Sequence, residues 1–328
     1  MLPLLLLLAT APRPPGKLVD LGGHRLHVRC TGAGSPAVVV ENGLGDFSFD
    51  WTLVQERVEK ATRICTYDRG GYAWSDPGPK PRTFAQLNME IRDALEKLGE
   101  KPPYVLVGHS YGGPVVRAFA ARYPNLAAGM VLVDSVFENQ RVSIQGKAVR
   151  IRDGATGKAI PAPRETMTDA DRPPERPPQP EAPPQAQKLD PLYDRLPAPV
   201  RSLQLWAQAL PGLDDAETSQ REWSTESLAA MHASPQDDIL GDLPLVVLTR
   251  EKGGYSDKLD VPAAELERER LAGQAGLARL SRRGRQVVVP AGHNMEIEAP
   301  DVVANAILEV VAAARQSARR SHANGASR

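Results

Sequence analysis

Short runs of β-branched and aliphatic residues alternate with stretches of helical periodicity, and this alternation constrains the fold more than any other feature. Residues 37–40, 63–67, 104–107, 129–133, 243–248 and 285–289 each read as a buried strand. Between them lie amphipathic segments. The clearest opens at Thr83, which forms a capping-box pattern with Gln86, and carries Phe84, Leu87, Ile91, Leu95 and Leu98 at three- and four-residue steps before Gly99. Helical patterning also covers residues 51–58, 114–123 and 263–280, and a last helix starts near Pro300 with Val303, Ile307, Val310 and Val311 inward. Residues 18–28 read as two short strands around Gly22-Gly23. Strands that are apolar throughout and separated by helices predict an α/β fold, a mostly parallel sheet with helices on both faces.

The pattern breaks between residues 135 and 242, which show little strand character. Residues 161–200 hold 12 of the 30 prolines, too many for a regular helix or sheet, so this part is expected to be extended or partly mobile. Helical periodicity returns at about 200–210 and 216–232, where Leu203, Leu205, Trp206, Trp223, Leu228 and Met231 could wall an apolar pocket. The expected organisation is a core of residues 18–134 and 243–314, interrupted by a partly helical, Pro-rich lid at 135–242. Residues 315–328 carry four arginines and no acid, and are expected to be disordered.

The first eleven residues are apolar but too short to span a bilayer; they resemble a signal-peptide h-region ending in Ala9-Thr10-Ala11. Export to the periplasm or medium is the expectation, against an ordinary apolar segment of a cytoplasmic protein. Forty basic and 40 acidic residues balance, so the chain has no field to draw nucleic acid or anionic lipid, and no stable membrane insertion is expected. The only cysteines are Cys30 and Cys65, and no metal or cofactor motif occurs, so neither a metal nor a cofactor is predicted.

The chemistry centres on Gly108-His109-Ser110-Tyr111-Gly112. Its context matters more than its letters: a strand precedes it and a helix follows. In such a turn the serine is forced out of the sheet, and the glycines beside it leave room where strand and helix converge. The N–H of Tyr111, at the helix start, then faces any charge that develops near Ser110. A serine hydroxyl needs a base. Of the six histidines, His293 follows the strand at 287–289 and precedes the final helix, while His109 should point away from Ser110.

The chain resembles the α/β-hydrolase superfamily from about residue 18 to 314. The resemblance rests on Gly43-Leu44-Gly45, Asp68-Arg69-Gly70-Gly71-Tyr72, the serine turn and Gly292-His293-Asn294, in that order. It implies Ser110 as nucleophile and His293 as base. The family's usual acid, after the strand that follows the lid, would align with Gly253, which has no side chain. A minority of the family carries the acid one strand earlier, which implies Asp134; Glu251 and Asp257 remain alternatives. Backbone N–H groups of Leu44 and Tyr111 would form the oxyanion hole, with Asn42 standing where the family often has histidine. Arg69 is expected to brace loops. The family's strand order also sets the strands of Cys30 and Cys65 side by side, so the two either bridge or fill the core as small apolar groups.

The expected activity is cleavage of a small carboxylic ester through an acyl-enzyme. Amide, N-terminal peptide, lactone or C–C hydrolysis on the same residues, and a non-catalytic ligand-binding role, are the alternatives. A serine at the turn argues against the dehalogenases and epoxide hydrolases of this fold, which use aspartate there.

Overall fold

The computed structural model describes residues 12–168, 188–233 and 237–325. The apolar run at 1–11, much of the proline-rich stretch and residues 326–328 lie outside the described residues. In chain order the principal elements are β1 (Lys17–Asp20), β2 (Arg25–Thr31), β3 (Val38–Glu41), α1 (Thr52–Val58), β4 (Ile64–Tyr67), α2 (Phe84–Lys97), β5 (Tyr104–His109), α3 (Gly112–Arg122), β6 (Ala127–Val133), β7 (Arg141–Ile144), β8 (Lys147–Arg150), α4 (Ala198–Gln208), α5 (Leu213–His232), β9 (Leu245–Arg250), α6 (Ala263–Ala278), β10 (Gly284–Val289), α7 (Met295–Glu298) and α8 (Pro300–Gly325).

Eight strands form one sheet in the order β1-β2-β4-β3-β5-β6-β9-β10. β2 pairs antiparallel with β1 and β4, and every other pairing is parallel. The two-residue alternation of a strand sorts the side chains onto two faces. Val38, Val40, Val105, Val107, Val131 and Val133 pack with Trp51 and Val54 of α1 and with Val303, Ile307 and Val310 of α8. Val39, Leu106, Met130 and Leu132 point the other way, into Ile91 and Leu95 of α2, Val116 and Phe119 of α3 and Leu277 of α6. Full burial of each such side chain is worth about 1.5–3 kcal/mol, which explains why these strands read as unbroken apolar runs. Thr83 caps α2 by accepting from the Gln86 N–H at 3.1 Å. The reciprocal half of the box is absent, because the Gln86 amide turns instead to Glu90 and to the Arg164 carbonyl.

Cys30 and Cys65 stand directly opposite each other in the β2–β4 register and are bridged, with Cα atoms 4.0 Å apart.

The segment between β6 and β9 departs from expectation at its start. Residues 141–150 form an antiparallel hairpin, β7–β8, where little strand character was foreseen. Its signal is local. Val142 and Ile144 alternate with polar residues ahead of Gln145-Gly146, which take φ of 50° and 78°, as a two-residue hairpin turn requires. Farther on, α4 and α5 rest on the loops that follow β3 and β4. Leu203 and Trp206 pack on a cluster of Phe47, Phe49, Tyr72 and Leu213, and Leu228 is buried. Leu205, however, is exposed, and the Lys158 ammonium lies over the Trp223 ring.

The C-terminal expectation also needs correcting. From residue 315 the chain continues α8 to Gly325 instead of ending in a disordered tail. Residues 315–324 contain no glycine or proline and are rich in arginine and alanine, both strong helix formers. Arg315 further ties the helix to the Ser35 carbonyl at 2.8 Å.

Candidate active site

The turn between β5 and α3 carries Ser110 at φ 50°, a left-handed conformation unusual for a residue with a side chain. Close approach explains the glycines around it. A Cβ on Gly108 would sit 2.6 Å from the Gly112 carbonyl oxygen, and one on Gly112 would sit 2.3 Å from that of Glu41. Neighbouring backbone locks the turn: the Ser110 N–H donates to Val133, and the Ser110 carbonyl accepts from Gly113 and Val136.

His293 lies between β10 and α7. Its Nε2 is 2.9 Å from Ser110 Oγ, and its Nδ1 is 2.6 Å from Asp134 Oδ2. Asp134 follows β6 directly, also at a positive φ of 38°, and its N–H donates to Leu248 of the adjacent strand. An ionised carboxylate only accepts, so Nδ1 carries the proton and the Nε2 lone pair faces the serine hydroxyl. The electrostatics agree. Burial pushes His293 below the ordinary imidazole value. Asp134 is held below the ordinary carboxylate value: burial opposes this, and the bond from His293 and the nearby Arg250 outweigh it. Glu251 and Asp257 are exposed loop residues, and neither side chain joins this relay.

The loop after β3 completes the surroundings. Leu44 is half-exposed, next to an apolar cluster of Phe84, Leu87, Tyr111 and Val115 against which Met231 of α5 also packs. Tyr111 is the N-cap of α3, so its N–H belongs to the end of the helix that lacks internal acceptors. Asn42 is firmly anchored: its amide donates to the Tyr67 carbonyl at 2.7 Å. Arg69 is fully buried and braces the same loop, donating to Glu41 and Asn42 at 2.8 Å and to the Gly43 carbonyl. It also stacks over the rings of Tyr72 and Tyr111.

A family model described as the alpha/beta hydrolase fold matches residues 36–163. Among solved structures, a meta-cleavage product hydrolase from Pseudomonas fluorescens superposes with a TM-score of 0.59 at 20% identity, over 90% of this chain and 97% of that one. A thermophilic esterase from Thermogutta terrifontis gives 0.54 at 20% identity, over 89% and 94%. The chain has the alpha/beta hydrolase fold. Curated relatives match it over less than half of their own length. A probable transporter from Hormonema carpetanum, for example, is 36% identical over 129 residues, which are 37% of this chain and 18% of that protein.

At Gly253, where the resemblance would set the usual acid, other groups fill the space. A Cβ on Gly253 would lie 2.5 Å from the Tyr255 ring and 2.9 Å from Glu267 Oε1. Glu267, on α6, accepts from the Gly253 N–H and from Arg270 at 2.8 Å. Arg270, only 3% exposed, donates to the carbonyls of Arg250 and Glu251 at 2.9 and 3.2 Å. Its guanidinium reaches within 4.0 Å of Asp134, whose other oxygen lies 3.3 Å from Arg250 Nε. Beside Asp134, Ser135 fits against Gly113, where a Cβ would come within 1.8 Å of the Ser135 hydroxyl. Sequence reading missed Arg270, because Glu265, Glu267, Arg268, Glu269 and Arg270 look like one run of solvated helical charges.

Proposed function

We propose that this chain is a serine hydrolase that cleaves small carboxylic esters through an acyl-enzyme. The observation that carries the reading is the unbroken relay from Ser110 Oγ through His293 to Asp134. As Oγ attacks the ester carbonyl carbon, its proton passes to His293 Nε2. The oxygen that takes up the negative charge is held by the N–H groups of Tyr111 and Leu44. Asp134 stabilises the imidazolium, which then gives its proton to the departing alcohol. Water attacks the acyl-enzyme with His293 again as base, releasing the acid and restoring Ser110. The apolar cluster around Leu44, Tyr111 and Met231 favours an apolar group on the substrate, with the segment between β6 and β9 as the lid over it. The Cys30–Cys65 bridge supports a secreted or periplasmic site of action. No helix of the described residues is long and apolar enough to cross a membrane.

A serine-directed fluorophosphonate probe tests the nucleophile, and p-nitrophenyl esters of rising acyl length beside matched anilides test the bond cleaved. Labelling confined to Ser110, with esters turned over faster than anilides, is the expected result. Ser110→Ala should fold normally and lose activity by about 10⁴–10⁶-fold, since the relay acts as a unit. An unlabelled wild-type protein would favour a ligand-binding role, and preferred turnover of anilides would move the reading to amide hydrolysis.

A further inference from the structure

His109 ends β5 next to Ser110, and its ring is 1% exposed, with both nitrogens engaged. Nε2 is 3.0 Å from the main-chain carbonyl oxygen of His293. Nδ1 is 2.9 Å from Asp46 Oδ2. A carbonyl has no proton to offer, so Nε2 must carry one. A carboxylate also only accepts, so Nδ1 must carry the second. Neutral imidazole has a single N–H, so with Asp46 ionised this hydrogen-bond pattern requires the cation. A second carboxylate, Glu296 of α7, lies fully buried 3.8 Å from Nε2.

We propose that His109 is an imidazolium that positions the site, tying the loop of Leu44 to the loop of His293 from beneath the serine turn. This rests on the roles proposed above for Ser110 and His293. The mechanical part follows from connectivity. Asp46 closes the turn that contains Leu44, through its N–H to the Gly43 carbonyl at 3.3 Å. Gly43 makes the approach feasible, because a Cβ there would fall 2.9 Å from His109 Nδ1 and closer still to Asp46. One ring thus sets the spacing between the Leu44 N–H and the base.

The electrostatic part follows from distance. The rings of His109 and His293 are 4.8 Å apart, so a charge on the first opposes a charge on the second. Burial alone would discharge His109, but Glu296 and Asp46 raise it to about 10. Asp46 is held below the ordinary carboxylate value against its burial by the bond from His109. Glu296 is pushed up to about 7 by burial, and Asp50 is raised too. Of these three acids, Asp46 is the one held low, and it is the one that bonds His109. Around this pair stand Asp134 and Arg250 behind His293, Arg69 near Asp46 and Tyr193 of the inserted segment. The expected consequence is a His293 that stays neutral, and able to act as a base, below the pH at which an ordinary imidazole would protonate.

Two measurements test this. In the wild-type protein, nitrogen–proton correlation spectra of the histidine rings should show His109 doubly protonated and unchanged from pH 6 to about 8. A singly protonated ring, or one that titrates near the ordinary imidazole value, overturns the proposal whether or not the protein is an esterase. In the second, the rate of fluorophosphonate labelling at Ser110 is followed against pH. His109→Gln should move the acidic limb up by about one pH unit, since the opposing charge is gone, and should lower kcat on the best ester more than it raises KM. Asp46→Asn, which keeps the shape of the bond, should also lower kcat. A limb unmoved in His109→Gln overturns the electrostatic role. If the wild type is not labelled at all, the reading of Ser110 fails while the ring spectra still decide the state of His109; if His109→Gln does not fold, the same spectra decide.

Discussion

The ends of β6 and β9 lie side by side at the same edge of the sheet, yet they present opposite chemistry to the loop of His293. At the end of β6 a single carboxylate, Asp134, meets the imidazole at 2.6 Å. At the end of β9 the chain offers a glycine, and the space beside it is taken by Glu267, Tyr255 and the buried Arg270. The two sites are complementary, because Arg250 at the β9 end helps keep Asp134 ionised at the β6 end, with the Arg270 guanidinium 4.0 Å from its other oxygen. On the role proposed for Asp134, the comparison teaches that placing the acid on one strand rather than the other involves more than one side chain. The vacated position must be filled, and a buried cation there must suit the new neighbour.

The sharpest way to break this comparison is Asp134→Asn. The amide keeps the shape but cannot stabilise the imidazolium, and turnover should fall by about 10⁴ with the fold intact. Near-normal kcat would hand the acid's role to the β9 end. Next in size is Arg270→Met. It leaves Glu267 and Asp134 without their shared cation, and chemical denaturation should show a loss of about 3 kcal/mol; an unchanged midpoint would mean that Arg270 is incidental. Gly253→Asp restores an acid at the family's usual position but drives its Cβ into Tyr255 and Glu267. It should cost about 1–3 kcal/mol through overpacking and fail to rescue Asp134→Asn. A rescued double variant would show that the β9 end is readily reoccupied. The smallest effect belongs to Glu251→Gln, an exposed loop residue, whose kcat/KM should match wild type within assay error.

Much of this was legible in the sequence because it depends on local rules. The serine turn announces itself by glycines at fixed offsets between a strand and a helix, whereas Asp134 was reached only through the family resemblance, which sets a glycine at the alternative position. What stayed hidden depends on tertiary environment. Arg270 is indistinguishable in sequence from the solvated charges around it. His109 could be aimed away from Ser110, but its two acceptors come from residues 46 and 293, far off in the chain. Asn42 looked like a defect in an anchoring loop, and only the fold brings the Tyr67 carbonyl to meet it. At 141–150, alternation broken by Gln145-Gly146 was a readable hairpin signal overshadowed by the prolines that follow.

Asp134 is also the last residue before the segment inserted between β6 and β9, and Ser135, the first residue of that segment, is wedged against Gly113. In the function proposed here, the acid and the segment over the site would therefore share a stretch of chain, which limits how modular that segment can be. A protein engineer exchanging the lid for another could not join the pieces at residue 135, since any change of direction there would be passed straight to the carboxylate. A junction beyond Val136, whose N–H is held by Ser110, leaves the acid in its frame. The same restriction would steer natural drift in specificity toward the middle of the insertion, away from its first few residues.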